Sequence, residues 1–193
     1  MKKVSVFLFL FGLSAQAQYF SENAFQVPLI GWMGMNTTAN FLRPSPDPDP
    51  WPSTDQVQIG LGYQYALSGY DLWWVTQSSL SLGYARNYGL SSDQVLTGFT
   101  ALTGLRYNFA TLTWRPFILG GVGLVTLFTD PNATGQSNTS ARSWMTLQAG
   151  PGIEWVFTDE MSVQLETGAL IFLDFQRSPR FSYVARLSYL IYF

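Results

Sequence analysis

Apolar and polar residues alternate along much of this chain. The clearest stretch is 56–67, where odd positions carry Val, Ile, Leu or Tyr and even positions carry Gln, Gly or Ala. Because successive side chains of a β-strand point to opposite faces, this two-residue period predicts a strand with one apolar face. Two apolar stretches, 27–36 and 114–128, suit strands without showing which face is which. The same alternation recurs in 79–84, 99–109, 145–157, 163–173 and 181–193.

The pattern predicts an all-β fold, an eight-stranded antiparallel up-and-down transmembrane β-barrel. Strands of about 10–14 residues are long enough to cross a bilayer at a tilt of ~45°. Short turns on one side and long loops on the other are typical of periplasmic and extracellular ends, and an even strand count places both termini in the periplasm. Short turns are predicted at 68–71, 110–113 and 158–160, and longer connectors at 37–55, 86–96, 129–142 and 174–180.

Composition favours a barrel in lipid over a soluble barrel such as a lipocalin-like carrier. Charged residues make up 11% of the chain and aromatic residues 17%, whereas charged residues average about 25% in soluble domains. The polar face of the strands consists mainly of Gly, Ser, Thr and Gln, which fit a narrow interior. A soluble barrel would need Lys and Glu there to face water. Tyr, Phe and Trp near the strand ends suit the girdles at membrane interfaces.

Residues 1–17 are predicted to be a cleaved secretory signal peptide, which leaves 18–193 as one barrel domain. Lys2 and Lys3 precede an apolar run over 4–13, and Ala15-Gln-Ala17 forms a cleavage site. The apolar run is too short for the roughly 20 residues of a spanning helix. We therefore expect cleavage after Ala17 and export across the inner membrane.

The last strand carries the most specific signal in the sequence. Counting back from Phe193 in steps of two gives Ile191, Tyr189 and further apolar residues. This segment resembles the final strand of bacterial outer-membrane barrels, whose assembly machinery reads the terminal aromatic residue as an insertion signal. Residues 115–124, Arg-Pro-Phe-Ile-Leu-Gly-Gly-Val-Gly-Leu, resemble a strand of small barrels of the OmpA and OmpX type.

The resemblance to these small barrels covers essentially all of 18–193. It implies a Gram-negative outer-membrane protein whose partners are outer-membrane lipid and lipopolysaccharide, together with the barrel assembly machinery and periplasmic chaperones during biogenesis. The peptidoglycan-binding domain that follows the barrel in full-length OmpA proteins is not expected here.

No enzymatic, metal or cofactor site is expected. The chain has no His and no Cys, and residues 18–193 have no Lys, so the usual general bases near neutral pH are missing. The outer-membrane barrel enzymes use a catalytic His. Asp159 and Glu160 are the only adjacent acidic pair and fall in a predicted turn, while Asp47, Asp49 and Asp55 form only a weak calcium pattern. A net charge of 8 − 12 = −4 over 18–193 also argues against nucleic acid as a partner.

Four charged residues fall on the polar face of predicted strands and are expected to form a lumen ion-pair network. An Arg facing lipid at the midplane would cost about 2–4 kcal/mol, so the lumen is the predicted direction. Folding the last hairpin near residue 177 brings together positions that sum to about 354, and 166 + 186 is 352. An eight-stranded barrel is just wide enough for side chains to fill its interior, which predicts a plug. The alternative is that the pairs exchange partners and gate a narrow pore. The four residues are Arg106, Glu154, Glu166 and Arg186.

Five of the eight Arg residues of 18–193 lie in or beside the predicted extracellular loops. Arg binds phosphate groups bidentately, so these residues are candidate lipopolysaccharide contacts. The simpler alternative is that loops hold charges because lipid-facing strands cannot. The first loop also has Pro at every second position of 44–52, which predicts a stiff extended segment with Trp51 as a candidate anchor. The five residues are Arg43, Arg86, Arg142, Arg177 and Arg180.

The sequence therefore predicts a structural or surface-interaction role for a plugged outer-membrane barrel, without identifying the surface partner. One alternative is a narrow channel, or a conduit for small hydrophobic molecules that opens sideways. Gly120, Gly121 and Gly123 would then mark a thin wall, although tight lumen packing explains them more simply. A second alternative, an enzyme without His, would need a carboxylate with a strongly raised pKa.

Overall fold

A computed structural model describes residues 22–35, 53–68, 71–86, 94–109, 113–129, 140–173 and 180–193. Each strand pairs antiparallel with the next in sequence, and β8 pairs with β1, so the sheet closes into a barrel. This confirms the predicted fold class. The strands are β1 (Asn23–Met35), β2 (Ser53–Ser68), β3 (Leu72–Arg86), β4 (Gln94–Asn108), β5 (Trp114–Thr129), β6 (Ser140–Thr158), β7 (Met161–Leu173) and β8 (Arg180–Tyr192).

The two ends of the barrel differ in their connections. At one end, which we call the short-turn end, a few residues join β2 to β3, β4 to β5 and β6 to β7. The first residue of β1 and the last residue of β8 also lie at this end. The opposite, long-loop end is where the connectors 36–52, 87–93, 130–139 and 174–179 depart. Among the described residues, no helix is long and apolar enough to cross a membrane.

The strands are staggered and therefore tilted against the barrel axis. One circuit along paired residues, starting at Ala24, returns to β1 eleven residues (35 − 24) further toward the long-loop end. One of the eleven belongs to a β-bulge between Gln26 and Leu29, which leaves a stagger of ten. Stagger and tilt are linked in a closed sheet. Because a stagger of ten is shared over eight strands, each step from a residue to its register partner on the next strand climbs slightly more than one residue toward the long-loop end. The circuit is Ala24, Gln64, Val75, Gly104, Gly121, Gln148, Leu170, Ser182 and Met35.

The structure assigns the facing of the two strands whose alternation was ambiguous. In β5 the odd positions 115–127 face inward, and the even positions are exposed except for the half-buried Thr126. In β1, Ala24 and Gln26 face inward before the bulge, and Met33 faces inward after it. The bulge adds one residue to β1 and so reverses which parity faces the lumen. A single period could not describe this strand.

The outer wall is apolar along most of its height. Exposed aliphatic side chains of β2, such as Ile59 and Leu61, are typical of this surface. Aromatic side chains gather near the short-turn end, where the Trp114 ring stacks on Trp155 with 5.3 Å between centroids. An apolar band bordered by aromatic residues is the surface that a bilayer requires.

Candidate functional site in the barrel lumen

Glu154 is the centre of a charged cluster near the short-turn end. Its carboxylate forms an ion pair with Arg106, which lies on β4 and is therefore separated from β6 by one strand. The Ser162 hydroxyl donates to Oε1 of Glu154 at 2.6 Å, and the Tyr192 hydroxyl donates to the same oxygen. Arg115 is the register partner of Glu154 on β5 and is also buried. These five residues, which we call the short-turn cluster, tie β4, β5, β6, β7 and β8 together inside the lumen.

Packing against an aromatic ring and one amide fixes the Arg106 guanidinium. Its Cζ lies 4.2 Å from the centre of the Phe117 ring, a cation–π contact. Its Nε donates to Oδ1 of Asn108 at 2.8 Å. The Phe117 ring occupies the space over Gly152, where a Cβ would lie 2.1 Å from Cζ of the ring. The glycine at 152 therefore makes room for the ring that supports Arg106.

A second charged cluster lies closer to the middle of the barrel. Glu166 and Arg186 are register partners on β7 and β8, and Nη1 of Arg186 lies 2.7 Å from Oε1 of Glu166. The same Nη1 donates to Oε1 of Gln148 at 2.9 Å and to Oε1 of Gln77 at 3.2 Å. Both amides donate in turn to the Glu166 carboxylate. We call these four residues the midplane cluster, in which each buried charge has several partners.

Two glutamines connect the clusters into one network. Nη1 of Arg106 donates to Oε1 of Gln64 at 2.9 Å and to Oε1 of Gln164 at 3.0 Å. The Gln164 amide donates to Oε2 of Glu166 at 3.4 Å. Hydrogen bonds therefore run without a break from the short-turn cluster to the midplane cluster. A buried ionic group needs such partners, because an unpaired charge in a low-dielectric interior is costly.

Apolar side chains fill the lumen around this network in two groups. The lower apolar cluster lies toward the short-turn end, around the ion pairs. The upper apolar cluster lies in the long-loop half. Trp144 packs against the upper one. The lower cluster consists of Ala24, Trp73, Val75, Leu102, Phe117, Leu119, Leu190 and Tyr192, and the upper of Met33, Val125, Leu127, Leu170, Phe172 and Val184.

All four residues of the predicted lumen network lie in the interior, with at most 2% of each residue exposed. The hairpin register predicted the contact of Glu166 with Arg186. The sequence reasoning missed Arg115, because the facing of β5 was ambiguous. It also missed Tyr192. Because 192 and 186 are both even positions of β8, the Tyr192 side chain could have been predicted to point inward like that of Arg186.

The other predicted sites lie on the outer wall or at the long-loop end. Phe193 and Ile191 are exposed, and Tyr189 is half-buried on the same outward face. The backbones of Arg86, Arg142 and Arg180 belong to strand ends at the long-loop end. Arg43 and Arg177, like Asp47, Asp49 and Trp51, lie outside the described residues.

The structure places the other acidic candidates away from the lumen network. Asp159 and Glu160 are exposed in the turn between β6 and β7, and Asp55 is exposed near the start of β2. Within the described ranges, no group of three or more His, Cys, Asp or Glu residues could hold a metal ion.

Comparison with known proteins places this geometry among outer-membrane barrels. No protein-family model matches the sequence, and no curated protein matches it. The structure of Neisserial surface protein A aligns over 90% of this chain and 98% of its own, with 11% identity and a TM-score of 0.64. The outer-membrane protein OprG from Pseudomonas aeruginosa covers 91% of this chain and 98% of its own, with 12% identity and a TM-score of 0.55.

A third similar structure is Ail, the attachment invasion locus protein of Yersinia pestis, in complex with the heparin analogue sucrose octasulfate. It covers 89% of this chain and 99% of its own, with 11% identity and a TM-score of 0.52. Identities this low establish a shared fold and nothing finer. The chain has the closed eight-stranded fold of small outer-membrane barrels of the OmpA and OmpX type.

Proposed function

We propose that this chain is an integral barrel of the bacterial outer membrane with a structural or surface-interaction role, and that side chains plug its lumen. The observation that supports this most is the unbroken network from Arg106 to Arg186. Its members come from strands on all sides of the barrel, and apolar clusters fill the space around them. A solute would have to break several buried hydrogen bonds to pass.

The proposed orientation puts the short-turn end in the periplasm and the long loops outside. Short periplasmic turns and longer extracellular loops are the usual arrangement of such barrels. Residues 1–17 would direct export and be removed, and Phe193 with Ile191 and Tyr189 would be read by the barrel assembly machinery. Periplasmic chaperones would hold the chain before insertion.

Conductance of purified, refolded protein in planar lipid bilayers tests the plug. A plugged barrel gives no steady openings, either as the wild type or as Arg186→Ala, because the short-turn cluster still blocks the lumen. Steady openings of the wild type that change in Arg186→Ala would overturn the plug and make the Glu166–Arg186 pair a gate.

Surface interaction through the long-loop end is the second part of the proposal. Arg43, Arg86, Arg142, Arg177 and Arg180 would bind the phosphate groups of lipopolysaccharide, since Arg pairs with phosphate bidentately. The Ail structure, with a heparin analogue carrying sulfate groups, is a precedent for polyanion binding on this fold.

Binding of the refolded protein to immobilised lipopolysaccharide tests this surface role. Replacing the five Arg residues with Gln should weaken binding strongly. Replacement with Lys should weaken it less, because the charge remains while the bidentate geometry is lost. Chemically dephosphorylated lipopolysaccharide should bind wild type and Gln variant alike. Equal binding of the wild type to both lipid preparations would exclude phosphate recognition.

A narrow channel or conduit is the second candidate function. The observation in its favour is the upper apolar cluster, since an apolar lining in the long-loop half would suit a small hydrophobic molecule.

The described lumen carries three buried Arg and two buried Glu, a net charge of 3 − 2 = +1. A conducting form should therefore prefer anions, and the reversal potential in a salt gradient would show this preference in the bilayer experiment above.

A further inference from the structure

Four buried oxygen atoms in the long-loop half of the lumen lack a hydrogen-bond partner among the described residues. They are Oε1 of Gln58 and the hydroxyl oxygens of Ser81, Thr100 and Thr146. All four residues are at most 5% exposed. A buried polar group without a partner costs free energy, so such groups in a folded protein call for an explanation.

Three of these residues lie at one level on adjacent strands. Gln58 of β2 and Ser81 of β3 are register partners. On β4, the partner of Ser81 is Gly98, and Thr100 lies two residues closer to the short-turn end. Because each step to the next strand climbs by slightly more than one residue, this displacement keeps Thr100 at about the level of Ser81.

Thr146 reaches the same level from the other side of β5. The register partner of Thr100 on β5 is Val125, and Thr146 pairs with Gly123, two residues closer to the short-turn end. The climb over the two steps from β4 to β6 and the two-residue displacement toward the short-turn end nearly cancel. Thr146 therefore lies at about the level of Thr100. The four oxygens thus lie at one level on the long-loop side of the midplane cluster, and we call them the oxygen layer. Met33 of the upper apolar cluster reaches this level, since its sulfur accepts a hydrogen bond from Nε2 of Gln58 at 3.7 Å.

The Ser81 hydroxyl has space inside the lumen because residue 98 is glycine. The Ser81 hydroxyl lies over Gly98, where a Cβ would be 2.5 Å from Oγ. A side chain at position 98 would fill the space that this hydroxyl occupies, so the glycine keeps the hydroxyl in the lumen.

We propose that the oxygen layer is a binding site for ordered water inside the barrel. The layer supplies what a buried water needs, since such waters usually make about three hydrogen bonds to otherwise unsatisfied polar groups. Three hydroxyls can each donate and accept, and the Gln58 carbonyl oxygen accepts. Water bridging these groups removes the cost of burying them. The lumen would then hold ordered water as well as side chains at this level.

A matched pair of serines tests the proposal by the sign of a stability change. Ser182 of β8 is also buried, but its hydroxyl donates to the carbonyl oxygen of Gly34 at 2.7 Å. Ser81→Ala and Ser182→Ala each remove one hydroxyl. If water satisfies Ser81, both variants raise the unfolding equilibrium constant in urea by roughly two- to tenfold, the range for one net hydrogen bond. If the layer is dry, Ser81→Ala leaves the constant unchanged or lowers it, which overturns the proposal.

Thr100→Val and Thr146→Val extend the same test with nearly isosteric changes. Hydrated threonines predict that both variants unfold more easily, whereas dry ones predict that both gain stability. A high-resolution crystal structure of the full chain gives an independent answer. Water within hydrogen-bond distance of Ser81 Oγ and Thr146 Oγ1 supports the site. A layer that is dry, or filled by a side chain from a loop, rejects it.

Discussion

Arg106 on β4 and Glu154 on β6 form an ion pair across the lumen, although their strands are not neighbours. Backbone pairing does not bring these residues together, so the pair acts as an internal brace that complements the sheet. Tyr192 and Ser162 donate to the same carboxylate and bring β8 and β7 into the brace. Stability of the barrel should therefore depend on this single carboxylate.

Glu154→Gln should destabilise the barrel by about 3–5 kcal/mol, because breaking a buried ion pair leaves an uncompensated charge. Here Arg106 and Arg115 would both lose their nearest carboxylate. The measurement is urea unfolding in detergent micelles, followed by tryptophan fluorescence. Glu160→Gln, in the exposed turn between β6 and β7, is the matched control and should change stability little. A loss below 1 kcal/mol in the free energy of unfolding of Glu154→Gln would show that the brace adds little to the stability of the barrel.

Gly152→Ala should destabilise the barrel by about 1–3 kcal/mol, the usual cost of overpacking. The new Cβ would lie 2.1 Å from Cζ of Phe117 and push the ring against Arg106. Gly120→Ala is the control, because a Cβ there has nothing within 4 Å. Its smaller unfolded-state entropy should leave the barrel unchanged or stabilise it by about 0.4–1 kcal/mol. Equal losses in the two variants would mean that strand flexibility, rather than the ring, requires glycine.

The fold could be predicted from sequence because alternation reports facing directly, and β2 alternates over residues 56–67. The Glu166–Arg186 contact was predictable for a related reason, since a hairpin loop sets the register of its two strands. Contacts across the lumen were not predictable in this way. The approach of Arg106 to Glu154 depends on the stagger of the closed sheet, and no local pattern encodes that quantity.

Phe193→Ala should lower the amount of folded barrel in the outer membrane of cells several-fold. Phe193 is exposed, and its ring stacks on Phe25 with 5.0 Å between centroids. The proposed assembly signal requires the terminal aromatic residue itself, whereas the stack is one exposed contact worth about 0.5–1.5 kcal/mol. Heat-modifiable mobility of membrane fractions on gels measures the folded amount.

Phe25→Ala separates the two roles of the terminal residue, because it removes the stack and keeps Phe193. Folded protein in cells should then stay near the wild-type amount, and both variants should refold in detergent. An equal loss of Phe25→Ala and Phe193→Ala in cells would assign the effect to the stack and remove the case for an assembly signal.

Val122→Arg should test directly whether the outer wall faces lipid. Val122 lies near the middle of β5 and is 49% exposed, while Phe157 lies at the short-turn end of β6 and is 42% exposed. In a bilayer, Arg at the midplane costs about 2–4 kcal/mol and Arg near the interface about 0–1 kcal/mol. Unfolding from lipid vesicles should therefore show a much larger loss for Val122→Arg than for Phe157→Arg. If water faced this wall, Arg should cost little at Val122, and at Phe157 only the ring contacts with Trp155 and Tyr189 would be lost. Equal and small losses would thus contradict the membrane placement on which the proposed function depends.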